Sequence, residues 1–310
     1  MSKPFASSTD LAAKTETLEV LADGVYALTA EGDPNVGAIE GEDFLVAFEA
    51  RATPVAARDW LDKLREHTDK PVRYLVLSHY HAVRVLGASA FDATEIIAHE
   101  RTRFLIAERG KQDWDSEYGR MPRLFKEPDS IPGLTWPTLT FNDRMVIPLG
   151  GDRGDLVLQY LGRGHTEGDI VAWLPKHRIM YAGDLVEAKA ALYTGDAFHQ
   201  EWSAGTLDGV KALRAEVLVG GRGAVAQGVE AVDAAIEQSR GFLTRMLDGV
   251  RRTQASGGTL KDAFETVHTD LYPTYGHWPI FEHTLPFDLS LIHISEPTRR
   301  TPISYAVFCL

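Results

Sequence analysis

Apolar residues come along this chain in short bursts, each cut off by Gly, Pro, Asp or Asn. Runs such as GVYALTA (Gly24–Ala30), DFLVAFE (Asp43–Glu49) and VRYLVLS (Val72–Ser78) are rich in β-branched and aromatic residues and read as strands. So do LVLQYLG (Leu156–Gly162), DIVAWLP (Asp169–Pro175), RIMYAGD (Arg178–Asp184) and AEVLVGG (Ala215–Gly221). Between them the period changes. Pro54–His67 sets Val55, Trp60, Leu61 and Leu64 near one face behind an initial Pro. Val229–Val250 repeats Val229, Val232, Ile236, Leu243, Met246, Leu247 and Val250, an amphipathic helix made to lie on a sheet. A third helix is expected over Thr259–Leu271. Arg109–Trp136, with Pro122, Pro128 and Pro132, reads as a long loop able to lid a pocket. Strands and helices are mixed without a separating linker, which predicts one α/β domain.

Composition narrows the function classes. A 310-residue chain with 44% hydrophobic and 25% charged residues can bury a sizeable core. Its net charge of −12 argues against a nucleic-acid partner and against docking on an anionic membrane. No apolar run approaches the roughly 18 residues of a membrane span. The first residues lack the apolar core of a signal peptide, and the single cysteine, Cys309, excludes an intrachain disulfide framework. A cytoplasmic protein acting on a small molecule is the expectation.

The end of the chain reads differently. Leu289–Arg299 resembles the translation of a transposase-type sequencing adapter, and Ile303–Leu310 that of a flow-cell sequence in the same frame. The expected partition is therefore a flexible segment 1–17, one domain over 18–288, and an adapter-derived tail over 289–310, the natural chain continuing differently after Asp288.

Four motifs each end one of the strands: SHYHAVR (Ser78–Arg84), GRGHTEGD (Gly162–Asp169), YAGDL (Tyr181–Leu185) and VGGRG (Val219–Gly223). Strand-end loops are where a rigid sheet aims side chains at one point. His79 and His81 can converge on one ion, His165 can add a third nitrogen, and Asp184 an oxygen. Three imidazoles with a carboxylate or water suit zinc, and also ferrous iron or manganese. GRGHTEGD lacks the Lys-Ser/Thr ending of a phosphate loop.

In order and spacing these motifs resemble the metallo-β-lactamase superfamily, from about Leu18 to Gly223, with GDPNVGAIEGEDFLVAF as the opening hairpin region. The resemblance implies an αββα sandwich: two mixed β-sheets flanked by helices. In that family the first motif reads H-x-H-x-D-H, the second G-H-T-x-G, the third ends in a metal-bridging Asp, and the fourth carries a last His. Carried over, His79, His81 and His165 form an intact first metal site and Asp184 is the bridging carboxylate. The second site departs from the pattern: Val83 stands for its Asp, Arg84 for its His, and Arg222 for the last His. One metal is implied, zinc first, with iron or manganese as alternatives.

Two arginines thus stand where ligands to a dication stood. A guanidinium beside Asp184 can replace the second ion, bind an anionic substrate group, stabilise a developing oxyanion, or form a plain structural ion pair. The implied chemistry is hydrolysis of a small-molecule ester, lactone, thioester or amide, with Asp184 orienting water or acting as base and Arg84 or Arg222 meeting the oxyanion. Two other readings stay open. One is a non-catalytic ligand-binding or scaffold protein with a retired site. The other is a mononuclear iron dioxygenase of the persulfide-oxidising type, built on His79, His165 and Asp184. In the loop after Asp184, Tyr193, Asp196 and His199 are candidate substrate contacts. Tyr80 points away from its neighbours in an extended segment and reads as packing. So does aromatic Leu271–His283, with a pocket wall or a homodimer contact as its other readings.

Overall fold

The computed structural model describes residues 6–292. Residues 293–310, which hold most of the tail attributed to an adapter, lie outside the described residues, as do 1–5. One sheet carries, in spatial order, β1 (Glu16–Ala22), β2 (Val25–Ala30), β3 (Val36–Glu40), β4 (Leu45–Phe48), β5 (Val72–Val76), β6 (Glu95–His99) and β7 (Leu139–Phe141). Its first four strands are antiparallel; β4 to β7 run parallel. The other sheet holds β8 (Arg144–Pro148), β9 (Asp155–Tyr160), β10 (Ile170–Leu174), β11 (Ile179–Gly183), β12 (Val217–Gly220) and β13 (Ala226–Gln227), in reverse spatial order. Only its β11–β12 pair is parallel.

Side chains alternate along each strand, so a strand inside a sandwich feeds two cores. In β11, Ile179 and Tyr181 enter the core between the sheets, while Met180 and Ala182 face the helices outside. In β4, Val46 and Phe48 point between the sheets, and Leu45 and Ala47 point outward onto Trp60 and Leu64 of α1 (Pro54–Leu64). Both faces are covered, which is why β3, β4, β10 and β11 are buried throughout. Outside the second sheet pack α5 (Leu207–Ala212), α6 (Val229–Ala255), α7 (Leu260–Tyr275) and α8 (Phe281–Ile292). Short α2 (Ala82–Val85), α3 (Glu100–Arg120) and α4 (His199–Glu201) lie near the strand-end loops. The αββα sandwich is the architecture observed.

Helix starts follow local chemistry. The Thr53 hydroxyl accepts the Ala56 N–H at 3.1 Å ahead of Pro54, and Thr259 and Asp262 form a reciprocal capping box for α7. Among the described residues no helix is long and apolar enough to cross a membrane.

Two expectations need correction. β1 begins at Glu16, inside the segment expected to be flexible. Arg109–Trp136 is not a loop throughout: its first part continues α3 as far as Arg120, and only then come short turns at Pro122–Leu124 and Pro128–Ser130. The inner face of α3 is Gly110, Asp113, Glu117 and Arg120, a helical repeat written in polar residues, so apolar periodicity does not register it. That face looks into the site.

Candidate metal centre

β5 runs into Ser78 and His79, and His81 is the extended residue that opens α2. His165 sits in the loop between β9 and β10, where both carboxylate oxygens of Asp169 accept from Thr166: from its N–H at 2.7 Å and its hydroxyl at 2.8 Å. The loop is tied to the first sheet by the Ile170 N–H, which donates to Ser78 O at 3.0 Å. Three perpendicular imidazoles result, with ring centroids 4.7 to 4.8 Å apart and all ligand atoms within 4.8 Å of one another.

The outer nitrogen of each ring is held by an oxygen, and where that oxygen can only accept, as for His165 and His81, it must carry the proton. His165 Nδ1 lies 2.8 Å from the Tyr193 carbonyl, which can only accept, so Nε2 presents a lone pair. His79 Nδ1 meets Ser78 Oγ at 2.8 Å, and His81 Nε2 lies 3.3 Å from Asp196 Oδ2. The inward set is therefore His79 Nε2, His81 Nδ1 and His165 Nε2. His79 Nε2 is buried without a hydrogen-bond partner. An orphaned buried nitrogen is costly, and a cation bound by three imidazoles removes that cost. The donor set fits a divalent metal.

Electrostatics agree. Burial pushes His79 well below its ordinary range and His165 down to about 3, keeping both neutral. Burial works the same way on His81, but Asp113 and Asp196 override it and raise His81 to about 9. Its Nδ1 stands 2.9 Å from the His165 Nε2 lone pair. In the metal-free protein that contact is an imidazolium N–H donating to an imidazole; a metal takes the place of the proton.

Asp184 follows β11 through Gly183, whose φ of 52° is the left-handed turn that favours glycine. Its Oδ2 lies 3.7 Å from His79 Nε2 and 3.5 Å from His165 Nε2, while Oδ1 accepts from Arg84 Nη2. Burial alone would raise this carboxyl, but the Arg84 guanidinium and the nearby imidazoles hold it well below the usual carboxylate range. The approach demands Gly221: a Cβ there would stand 2.0 Å from Asp184 Oδ1. Asn35 clamps the same loop, its amide donating to Gly220 O at 2.9 Å and Gly223 O at 2.8 Å.

The expected residues separate into three groups. His79, His81, His165 and Asp184 converge. Val83, Tyr193 and Arg222 line the adjoining cavity. Arg84, expected either to pair with Asp184 or to meet a substrate anion or oxyanion, lies behind Asp184, fully buried and donating to Asp184, to Gly221 O at 2.8 Å and to Asn35 O at 3.1 Å. Asp196 is not on the cavity wall; it holds His81, the Tyr80 hydroxyl and Arg109. His199 is buried at the start of α4, also off the wall. Tyr80 packs on Leu105 and Ile106, as expected, but its hydroxyl also braces Asp196. The aromatic segment does both jobs considered for it within this chain: Trp278 and Phe281 join the outer core, and Ile280 and His283 line the cavity. Glu117, Arg120 and Asn35 escaped sequence reasoning. The four-residue spacing of Asp113 and Glu117, with Arg120 three further on, was the available signal for the first two.

The family model described as the metallo-beta-lactamase superfamily matches residues 31–222, more than half of the chain. The chain belongs to the metallo-β-lactamase superfamily. Among curated superfamily members, the metallo-beta-lactamase type 2 of Bacillus sp. (strain 170) is 28% identical over 173 residues, covering 54% of this chain and 58% of that protein. A linear primary-alkylsulfatase from Pseudomonas sp. (strain ATCC 19151) is 21% identical over 267 residues, covering 74% of this chain and 49% of its own length. The chain thus spans about half the length of these curated relatives. A metallo-beta-lactamase from Pontibacter korlensis shares the fold with a TM-score of 0.58 at 18% identity, over 73% of this chain and 99% of that one. His79, His81 and His165 form a cluster consistent with metal binding.

Proposed function

We propose that this protein is a metal-dependent hydrolase with one ion, zinc first, at His79, His81 and His165, cleaving an ester, lactone, thioester or amide of a small molecule. The observation that carries the reading is the convergence of three imidazole nitrogens, each ring held at its outer nitrogen by an oxygen, with His79 Nε2 otherwise orphaned. When bound, the ion supplies a Lewis acid and lowers the pKa of water toward about 7.

Asp184 is the chain's own contribution to positioning water. With its proton affinity suppressed by Arg84, it stays ionised and accepts a hydrogen bond from a nucleophilic water at Oδ2, a better orienter than base. Tyr193 closes one wall, its ring 5.6 Å from His81 and 6.1 Å from His165. Arg222 supplies the cavity with a cation next to Asp184, and Arg84 holds the carboxylate from behind. A cytoplasmic setting accompanies this reading. The persulfide dioxygenase alternative needs only His79, His165 and Asp184; drawing His81 into the same cluster favours the three-nitrogen site.

The test is a panel of chromogenic ester, lactone, thioester and amide substrates on metal-loaded full-length protein. Hydrolysis should vanish with a chelator and in His165→Ala. Turnover surviving both would place the chemistry elsewhere, and oxygen consumption with a persulfide by the iron-loaded protein would favour the dioxygenase.

A further inference from the structure

The chain between β11 and α4, residues 184–198, forms no helix or strand; its one sheet-like contact is a bridge between Ala188 and Gly223. It nonetheless carries the outer partners of two histidines. The Tyr193 carbonyl meets His165 Nδ1 at 2.8 Å, and Asp196 meets His81 Nε2 at 3.3 Å. With no ladder of backbone bonds to aim it, the Tyr193 carbonyl takes its direction from whatever grips this loop on its far side.

That grip comes from the other end of the sequence. Ala191 N–H donates to Pro279 O at 3.1 Å, just ahead of α8, and Thr194 N–H donates to Asp288 Oδ1 at 2.6 Å, within α8. The second bond bears directly on the site. The Tyr193 carbonyl and the Thr194 N–H are the two ends of one planar peptide unit, so fixing one fixes the other. A single peptide is therefore held between His165 on one side and Asp288 on the other.

Asp288 is an expensive residue for that place. It is wholly buried, as is Thr194, and its helix neighbours Leu285 and Leu289 belong to the outer core. Burial pushes its carboxyl well above the ordinary range, toward the neutral acid. An apolar side chain would fill the position without that cost. What an apolar side chain lacks is an acceptor for Thr194.

We propose that Asp288 is a positioning residue of the metal centre: by fixing the Tyr193–Thr194 peptide it holds the carbonyl that keeps the proton on His165 Nδ1 and leaves Nε2 open to the ion. The effect on the ion rests on the three-histidine reading; the effect on the tautomer does not. None of the four strand-end motifs reaches this far along the chain, so the residue acts on the site from outside them.

The test takes two measurements on the full-length protein. Proton–nitrogen correlation NMR of the imidazoles reads the His165 tautomer without metal, and competition with a chromogenic chelator reads zinc affinity. Asp288→Leu removes the acceptor at similar volume. It should let the Nε2–H tautomer of His165 appear and weaken zinc about tenfold, the low end of the loss when a metal ligand's outer support goes. Asp288→Asn keeps a neutral accepting oxygen and should match wild type in both. Asp288→Ala carries the test if the Leu variant does not fold. Leu64→Ala, in the core outside the other sheet, lowers stability alone and should change neither reading. A His165 tautomer unchanged in the Leu or Ala variant overturns the proposal, as does equal weakening of zinc in Leu64→Ala. Wild-type protein that takes up no zinc sinks the hydrolase reading instead, and the tautomer then decides this inference on its own.

Discussion

Replacing Arg84 with Met is the sharpest perturbation of the site's foundations. The side chain is fully buried, its volume is nearly kept by methionine, and its loss strands Asp184 as a buried carboxylate. Breaking a buried ion pair from one side costs about 3–5 kcal/mol. Asn35 O also loses its donor, at about 1–3 kcal/mol for a buried group left unpaired, while Gly221 O keeps the Asn35 N–H at 2.8 Å. These costs overlap, since the loop can relax once, so the expected loss is about 4 kcal/mol and not their sum. At roughly 2–4 °C per kcal/mol for a chain of this size, the melting temperature of the metal-free protein should fall by on the order of 10 °C. Urea unfolding at pH 7 measures the free energy directly. Adding Asp184→Asn should recover a large part of the loss, because the stranded charge is then gone. A loss below about 1 kcal/mol, or no recovery in the double variant, would refute the view of Arg84 as the fixed counter-charge of Asp184.

Metal affinity should depend on pH through His81. Its pKa in the folded protein, about 9, is above the ordinary value, so the proton is bound at neutral pH and the metal must displace it. Apparent affinity should fall about tenfold per pH unit below 9, and calorimetry in buffers of different ionisation enthalpy should show about one proton released per ion at pH 7. For the metal-free fold, the same shift gives stability that is complete below pH 6.5 and lost as pH rises through about 9. A flat affinity profile from pH 6 to 9 would contradict the imidazolium assignment. Gly221→Ala should cost both stability and metal uptake, since its Cβ meets Asp184 and, at 2.8 Å, Arg84 Nη2; wild-type melting and metal content in that variant would be the contrary result.

Much of this molecule was legible because strands packed into a core are apolar runs: β2, β4, β5 and β10 to β12 fall inside the runs read from the sequence, and β9 does but for Asp155. The strands that went unread are β1, β6 to β8 and β13, of which β1 and β8 are edge strands with alternating or largely exposed side chains and β13 is a two-residue edge. The histidines and Asp184 were legible because each closes a strand next to a glycine or a second histidine. For Arg84 the sequence left several roles open, the ion pair with Asp184 among them, because no sequence spacing distinguishes a guanidinium in front of a carboxylate from one behind it. Asp196 was seen as a contact for substrate, whereas the His81 ring it fixes lies 115 positions away in sequence. The α3 face of Asp113, Glu117 and Arg120 was lost because polar residues do the inward packing there.

The central claim is that three histidines hold one metal ion. Elemental analysis of the full-length protein after metal supplementation, beside a folded His79→Ala control, tests it most directly. The account predicts one zinc, iron or manganese ion per chain, lost in the control. A folded, supplemented protein that carries no ion, or a control that keeps it, would contradict the account.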